Sequence, residues 1–413
     1  MTLGRRCATI GALLAAPIRA QPPALDASPL PFFCRVEAAD EPGIEVPPAR
    51  RGLAVRTLVR SLAGMQKEAL IDSSASAATW RVASDEGPYL AGTDLVPPPL
   101  GFLSAGAAAS YASEVLALAR ERGIGLENLC LTEDSYYTME GSALEGTMRG
   151  GAQPPEVLLQ AETTAGEEEL RALLAEAVAH SPLNGLMSAE LASRFTLTFN
   201  GEPTEVGRVR PIEGPIPPDP AERFEAVRVA GADSGELIEK VEEAESLQHV
   251  EGGANSSLKA EQRRTLHCRG QCTIREDGVK VIDQYLFKPI GSHFRFLSDE
   301  AAGAGGEGRA PDAVSYIAAG FALCFMTQLG RYAKIARRAL ESYAVVQDTH
   351  FSAGGGPAEA DPIETHVYLT GDEPAGIARE ILDMGEQTCF LHALCRTQLE
   401  PKVSVSRAVA SGG

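Results

Sequence analysis

The hydrophobic pattern of the chain is strongest between residues 313 and 326, where Ser315 is the only polar side chain. A helix without a polar face has to be surrounded by protein, so we expect this segment to be buried. Polar and basic residues return after Met326, which indicates that the helix emerges towards its end. The pattern therefore predicts a buried helix over 312–338, with Cys324 near its centre.

The remaining pattern predicts two successions of strands and helices, joined by a connector over 209–262 that contains five prolines between positions 211 and 220. In the first half we predict strands at 53–62, 79–83, 126–131, 135–139, 156–161 and 195–199, and helices at 101–122 and 167–180. In the second half we predict strands at 265–274, 279–286, 293–297, 343–349 and 364–369, and helices at 375–384 and 389–398. The connector itself predicts a short acidic helix at 236–247.

An internal repeat links the two halves. Residues 81–86 (RVASDE) match residues 295–300 (RFLSDE) at an offset of 214, and the same offset places Ser110 on Cys324 without a gap. An offset of 208 places Ser181 on Cys389 further along. A buried cysteine commonly serves only as a small hydrophobic residue. The two serine–cysteine correspondences instead predict a duplicated fold in which one copy keeps a pair of thiols.

Composition narrows the possible functions. The net charge of −19 over 413 residues argues against nucleic acid and anionic membrane surfaces as partners. By this count, no apolar run reaches the roughly 18 residues that a membrane helix needs. Eight cysteines are too few for a disulfide scaffold in a chain of this length. Cys268 and Cys272 lack a second ligand pair at zinc-like spacing, so we expect no metal.

The first 50 residues predict a targeting or disordered extension. Arg5, Arg6 and Arg19 accompany a short apolar run at 8–18, and Ala20 is a small residue at a possible cleavage point. We expect a cytoplasmic or organelle-matrix protein whose first segment is a signal or transit peptide, with export as the alternative. The expected domains are 51–208, with serine at both thiol positions, and 263–406, with the thiol pair; 407–413 is a tail.

Two motifs carry a family resemblance. Residues 318–324 read Ala-Ala-Gly-Phe-Ala-Leu-Cys, and Cys389-Phe390-Leu391-His392 follows at the start of a later helix. Both resemble the OsmC/Ohr family, the osmotically induced protein C and organic hydroperoxide resistance proteins. The resemblance implies an α+β fold that works as an intertwined homodimer. A tandem chain would then be a monomeric pseudo-dimer of two OsmC-like domains, with antiparallel sheets packed around long central buried helices.

The resemblance also implies residue roles. Cys324 would be the peroxidatic thiolate and Cys389 the resolving thiol. In the family a Glu usually follows a Pro ten residues before the reactive Cys, and Asp312 is the substitute candidate because those positions hold Ala313 and Val314. The activating cation would be Arg275, in an Arg-Glu-Asp-Gly turn, or else Arg295; either arginine is equally explained as a solvated strand end. The expected substrate-binding residues are aromatic: Tyr316, Phe321 and Phe325.

The function expected from this resemblance is a thiol-dependent peroxidase that reduces organic hydroperoxides through a sulfenic acid and an intramolecular disulfide. It would need no bound cofactor, and a lipoyl or thioredoxin-type dithiol would restore it. One alternative is a non-catalytic protein that binds an apolar or sulfur-containing small molecule. Another is a different cysteine-dependent reaction on a small electrophile. His392 is either a general base or a structural histidine, and Cys395 is expected to be core.

Overall fold

The computed structural model describes residues 23–37, 45–76, 78–143, 145–230, 237–244 and 263–408. Its fold is α+β, with two large sheets and two long buried helices. The helices are α1 (Pro99–Arg122), α2 (Glu167–His180), α3 (Pro182–Met187), α4 (Ala313–Ile335), α5 (Ala375–Thr388) and α6 (Phe390–Cys395). The strands are β1 (Cys34–Val36), β2 (Gly52–Ser61), β3 (Lys67–Ser73), β4 (Thr79–Ser84), β5 (Glu127–Glu140), β6 (Arg149–Glu162), β7 (Arg194–Phe199), β8 (Glu202–Thr204), β9 (Arg210–Pro211), β10 (Ile238–Glu242), β11 (Arg263–Ile274), β12 (Lys280–Lys288), β13 (His293–Ser298), β14 (Leu340–Ser352), β15 (Glu364–Gly371) and β16 (Lys402–Ala408).

Each sheet combines strands from both halves of the chain. Sheet A has the order β1-β4-β3-β2-β14-β15-β7-β8, with β9 also paired to β7. Sheet B has the order β10-β13-β12-β11-β5-β6-β16. Both sheets share one order of strands. A short strand is followed by a three-stranded meander, then by a hairpin from the other half, and then by a parallel strand. Neither half can therefore form its sheet alone.

The expectation of antiparallel sheets is wrong at their edges. β7 pairs in parallel with both β15 and β9, and β16 pairs in parallel with β6. A helical connection leads into β7 and into β16, because α2 and α3 lie between β6 and β7 as α5 and α6 lie between β15 and β16. β7 of the first half thus pairs with β15 of the second half, and β16 of the second half pairs with β6 of the first half. Both sheets are therefore mixed.

The two long helices cross at close range through glycines. A Cβ atom on Gly106 would lie 2.7 Å from the backbone nitrogen of Ile317, and one on Gly320 would lie 2.8 Å from that of Leu103. Residues further along α1 contact residues earlier in α4, so the helices run antiparallel. α1 also packs on sheet B and α4 on sheet A. Cys324, one turn after Gly320, consequently faces the beginning of α1.

Several predicted elements are confirmed, and the exceptions have physical causes. The helix at 167–180 is found as predicted, and the buried helix is α4, which begins after Asp312 and ends at Ile335. The two strands predicted over 126–139 are one continuous strand, β5. β3 was missed because it begins with Lys67 and Glu68, whose charges are typical of a solvated loop although both side chains are buried.

Parts of the predicted extension and connector belong to the packed fold. Leu25 and Cys34 are fully buried, and β1 pairs with β4, which contradicts an unpacked segment over 23–37. In the connector, Phe224 is buried with side chains of the outer face of sheet A. The acidic helix expected at 236–247 is wrong for residues 238–242, which form β10 beside β13. The targeting motif at 1–22 lies outside the described residues.

Both α1 and α4 are long and apolar enough to cross a membrane by length and composition alone. The expectation that no apolar run is long enough for a membrane helix is therefore too strong for α1 and α4. In the structure 78% of the most apolar window of α1 and 94% of that of α4 are buried inside the protein. Buried core helices of soluble proteins show the same features, so these helices are weak evidence for a membrane span.

The helix crossing generates a stability prediction. We expect Gly320→Ala to lower the free energy of unfolding by about 1–3 kcal/mol, because the added methyl group has to push α1 and α4 apart. Gly376→Ala in α5 is the matched control, since that glycine is exposed and a Cβ there meets no atom within 4 Å. The control should keep its stability or gain up to about 1 kcal/mol from helix propensity. Chemical denaturation of both variants would measure this, and equal stabilities would contradict the crossing geometry.

Candidate active site

The structure brings Cys324 and Cys389 together. Their sulfur atoms lie 3.6 Å apart and share an S–H···S hydrogen bond. Cys324 is 2% exposed and Cys389 fully buried. Cys389 has extended backbone angles between α5 and α6, so the chain breaks its helix there and turns the thiol towards α4. Both cysteines are free thiols.

The serines that correspond to these cysteines occupy the same relation in the first half. Ser110 on α1 and Ser181, between α2 and α3, are both buried, and their hydroxyl oxygens lie 2.8 Å apart. A hydroxyl pair can share a proton in a hydrogen bond but has no redox chemistry of this kind. The thiols are therefore confined to one of two similar positions in the described structure.

Burial and mutual contact set the protonation of the thiol pair. Burial raises the pKa of Cys324 well above its usual range, and the neighbouring Cys389 raises it further. Burial also opposes ionisation of Cys389, but its hydrogen bond with Cys324 and the proximity of His392 lower the pKa of Cys389 well below the usual range. The directions of the two shifts favour Cys389 over Cys324 as the first thiol of the pair to lose its proton.

His392 follows Cys389 by one helical turn and is fully buried. Its ring packs against Phe195 and Phe325, with centroids 5.5 Å and 4.9 Å away. This aromatic packing holds the imidazole beside the thiol pair. Its effect on Cys389 supports an electrostatic role in addition to a structural one. Cys395 on the same helix is buried, as expected of a core residue.

A small cavity of about 30 Å³ reaches Cys324. Such a volume holds about two water molecules and no organic hydroperoxide, so a substrate would have to displace part of the wall. Most of the lining is apolar, and Glu86, Thr327 and Gln328 are its polar members. The other lining residues are Tyr89, Leu90, Pro98, Pro99, Leu100, Leu266, Leu286 and Phe390.

The aromatic residues expected to bind substrate lie elsewhere. The Tyr316 hydroxyl donates to the carbonyl of Leu297 at 2.8 Å, and the Tyr316 ring packs on Phe296. Phe325 packs on Phe195 and His392. Phe321 is also buried core. None of the three belongs to the described lining of the cavity, because α4 turns them towards the core.

Arg275 and Asp312 also lie away from the thiols. Arg275 pairs with Asp277 at 2.9 Å in the exposed turn between β11 and β12, and the second candidate, Arg295, pairs with Asp283. Asp312 caps α4 by accepting a hydrogen bond from the backbone of Ser315, and burial followed by nearby Glu300 raises its pKa to about 6. Cys324 follows Asp312 by twelve residues, or about 18 Å along the helix.

The antiparallel crossing determines which residues can face Cys324. A residue ten positions before Cys324 on α4 lies about 15 Å from it. The residue ten positions before Ser110 on α1 is Leu100, which lines the cavity at Cys324. The position that faces the thiol is therefore supplied by the other half of the chain, and it holds a leucine.

Sequence reasoning also missed two charged residues near Cys324, Lys67 and Glu86. Lys67 on β3 is 1% exposed; burial lowers its pKa, while Glu86, Asp85 and Cys324 act in the opposite direction. Glu86 follows β4, and burial raises its pKa. Glu86 is the last residue of the repeated block at 81–86, so the repeat itself pointed to it. Nothing in the pattern identified Lys67.

Comparison with known proteins finds a family match in the second half of the chain. Residues 305–404, which include both thiols, match the family model described as OsmC-like protein. A crystal structure of an OsmC-like hydroperoxide resistance protein from Jannaschia sp. CCS1 matches with 22% identity over 30% of this chain and 81% of that one, at a TM-score of 0.18. No curated protein matches the sequence. The chain thus contains an OsmC-like domain at 305–404.

The thiol pair generates a titration prediction. We expect ultraviolet absorbance to detect a thiolate at neutral pH, and to lose it only as the pH falls, because the pKa of Cys389 is lowered. Cys389→Ser should remove this signal, and His392→Phe should shift its appearance to higher pH. Cys395→Ser is the control on the same helix: burial raises the pKa of that thiol, so the signal should not change. A thiolate that survives in Cys389→Ser would contradict the assignment.

Proposed function

Starting from the OsmC-like domain at 305–404, we propose that this chain is a thiol-dependent peroxidase that reduces organic hydroperoxides. The observation that carries the proposal is the pair of buried sulfurs 3.6 Å apart at the end of a largely apolar cavity. Cys324 lines that cavity, so a peroxide entering it meets Cys324 first. Cys324 is accordingly the peroxidatic residue and Cys389 the resolving one.

The proposed oxidation uses the form of the pair in which the proton lies on Cys389. The Cys324 thiolate attacks the terminal oxygen of the hydroperoxide; a sulfur–oxygen bond forms and the oxygen–oxygen bond breaks. The sulfur is oxidised by two electrons to a sulfenic acid, and the alkoxide leaves and takes up a proton to become an alcohol. Because the sulfurs already share a hydrogen bond, this form of the pair needs a proton transfer over one short contact.

The second step closes a disulfide. The Cys389 thiol attacks the sulfenic sulfur, and the hydroxyl group leaves as water with the Cys389 proton. A disulfide bond is about 2.0 Å long, so the sulfurs have to approach by about 1.5 Å. The helix break at Cys389 lies where such a movement is needed. An external dithiol of lipoyl or thioredoxin type would reduce the disulfide by exchange, and the proposed cycle uses no bound cofactor.

The substrate class follows from the cavity wall. Leucine, proline and aromatic side chains form most of it, which favours a hydroperoxide with an organic tail over hydrogen peroxide. The wall between the end of β4 and α1 includes Leu90, which is only partly buried. We propose that this part of the wall, residues 88–90, moves to admit the substrate.

We also propose that the chain is a tandem duplication that folds as a monomeric pseudo-dimer with one thiol site. The repeated block at 81–86 and 295–300 supports this, and so does the equal order of strands in the two sheets. The hydrogen bond between Ser110 and Ser181 supports it independently, because it repeats the contact of the two cysteines.

A binding protein is the second candidate function. Two observations favour it: Leu100 holds the cavity position where a carboxylate was expected, and the cavity is closed to organic molecules in this conformation. Such a protein would hold an apolar or sulfur-containing ligand without turnover. Its thiols would stay reduced in the presence of peroxide.

Turnover is the first test of the proposed function. We expect the protein to consume cumene hydroperoxide with dihydrolipoamide or reduced thioredoxin as the reductant. Cys324→Ser should abolish turnover, because no nucleophile remains in the cavity. Cys395→Ser is the control and should retain the wild-type rate, since that thiol lies outside the cavity lining. Equal rates for Cys324→Ser and the wild type would refute the peroxidase.

The second test follows the sulfur chemistry by mass spectrometry of peptides after peroxide treatment. We expect Cys324 linked to Cys389 in the wild type. In Cys389→Ser the sulfenic acid has no partner thiol at that position, so Cys324 should over-oxidise to the sulfinic acid in excess peroxide. A link from Cys324 to Cys395 or Cys268 would reassign the resolving residue. A free Cys324 thiol under excess organic peroxide would favour the binding protein.

A further inference from the structure

Glu86 is held at the Cys324 cavity by two hydroxyl groups. Thr327 on α4 donates to one carboxylate oxygen at 2.9 Å, and Tyr89 donates to the other at 3.0 Å. The side chain is 6% exposed and lines the same cavity as Cys324. Hydroxyl groups rotate and can accept as well as donate, so this cradle accommodates the carboxyl group in either protonation state.

Lys67 supplies a buried amino group on β3, the strand beside β4. Its Nζ donates to the carbonyl of Met65 at 2.6 Å. In the described part of the chain, no carboxylate oxygen lies within ion-pair distance of this nitrogen, although Glu86 and Cys324 both act on it electrostatically. The attraction between an ammonium group in that position and a thiolate at Cys324 is stronger than the same pair would have in water, because the surroundings are apolar.

The chain contains an internal comparison. Glu300 lies 214 residues after Glu86; it accepts a hydrogen bond from Ser113 at 2.9 Å, and Ser113 lies 214 residues before Thr327. Lys280 forms a direct ion pair with Glu300 at 3.2 Å. The helix position that corresponds to Cys324 is Ser110. Lysine and glutamate are therefore paired where the helix carries no thiol, and not paired directly where it does.

We propose that the half of the chain without reactive cysteines completes the site: Glu86 is the proton donor to the leaving alkoxide, and Lys67 is the cation that allows Cys324 to carry the charge. This rests on the proposed peroxidase. As the oxygen–oxygen bond breaks, the alkoxide oxygen takes the carboxyl proton of Glu86 and leaves as an alcohol. Glu86 is left as a carboxylate and regains a proton from solvent. Glu86 touches the substrate, whereas Lys67 acts through the sulfur.

The burial of Glu86 favours a proton donor, although the neighbouring Lys67 acts on its pKa in the opposite direction. Burial raises its pKa, so the carboxyl group keeps its proton to higher pH than an ordinary glutamate. Two cations, Lys67 and Arg331, and four groups that become negative on ionisation surround it: Asp85, Tyr89, Cys268 and Cys324. The rate of Cys324 oxidation should therefore fall as the pH rises through the pKa of Glu86.

Glu86→Gln tests the proton donor with Glu300→Gln as its matched control. We expect Glu86→Gln to slow the oxidation of Cys324 by cumene hydroperoxide about 100-fold, the usual scale of general acid catalysis. It should also lose the fall in rate at high pH, since the amide does not titrate. Glu300→Gln should keep the wild-type rate and pH profile. A wild-type rate in Glu86→Gln, or equal losses in both variants, would overturn the role.

Lys67→Met tests the cation by a reaction that needs no peroxide. We expect iodoacetamide to alkylate Cys324 roughly tenfold more slowly than in the wild type, as a rise of one pKa unit would give. Lys280→Met should alkylate at the wild-type rate, and Lys67→Arg should restore much of it. An unchanged rate in Lys67→Met would refute the electrostatic role. Absence of peroxide turnover in the wild type would refute the peroxidase. It would not affect the alkylation experiment, which tests the role of Lys67 without peroxide.

Discussion

The close antiparallel packing of α1 on α4 is the constraint on which the rest of the structure depends. Gly106 and Gly320 lie where the backbones approach, and a side chain at either position would separate the helices. This crossing joins the cores of both halves into one and sets each helix on a different sheet. It also fixes which residues face Cys324: Leu100 from the start of α1, and Glu86 from the loop after β4. A thiol in one half is thereby surrounded by the other.

The sequence was sufficient to locate the buried helix and the thiol pair, because both depend on local pattern. An apolar run with Cys324 at its centre predicts a core helix. The internal repeat, which aligns Cys389 with Ser181, identified the second thiol. It was not sufficient for Lys67 and Glu68, which begin a buried strand. A charged residue is typical of a solvated loop until its tertiary partners are known, and Glu68 is buried against Arg81. The same limit applies to Asp312, because spacing along one helix cannot reveal which residues of another helix face Cys324.

The two sheets differ most on their outer faces. Leu58, Leu70 and Val346 make the outer face of sheet A apolar, and Phe224 of the connector covers it. On sheet B the outer face carries ion pairs such as Arg269 with Asp134 and Arg295 with Asp283, which suit exposure to water. The described part of the connector around Phe224 therefore packs on the core of one sheet. This difference accounts for the failure to recognise its packed segments from composition.

The buried serine pair and the buried cysteine pair also differ in charge. A serine pair stays neutral, so the lysine and glutamate beside Ser110 satisfy each other in a contact of 3.2 Å. Ionisation of Cys389, whose pKa is lowered, places a negative charge in the interior, and an isolated buried charge is costly unless a counter-charge lies near it. His392 lowers the pKa of Cys389, and Lys67 interacts electrostatically with Cys324. In the proposed peroxidase, transfer of one proton between the sulfurs moves the charge to Cys324, the sulfur that faces the cavity.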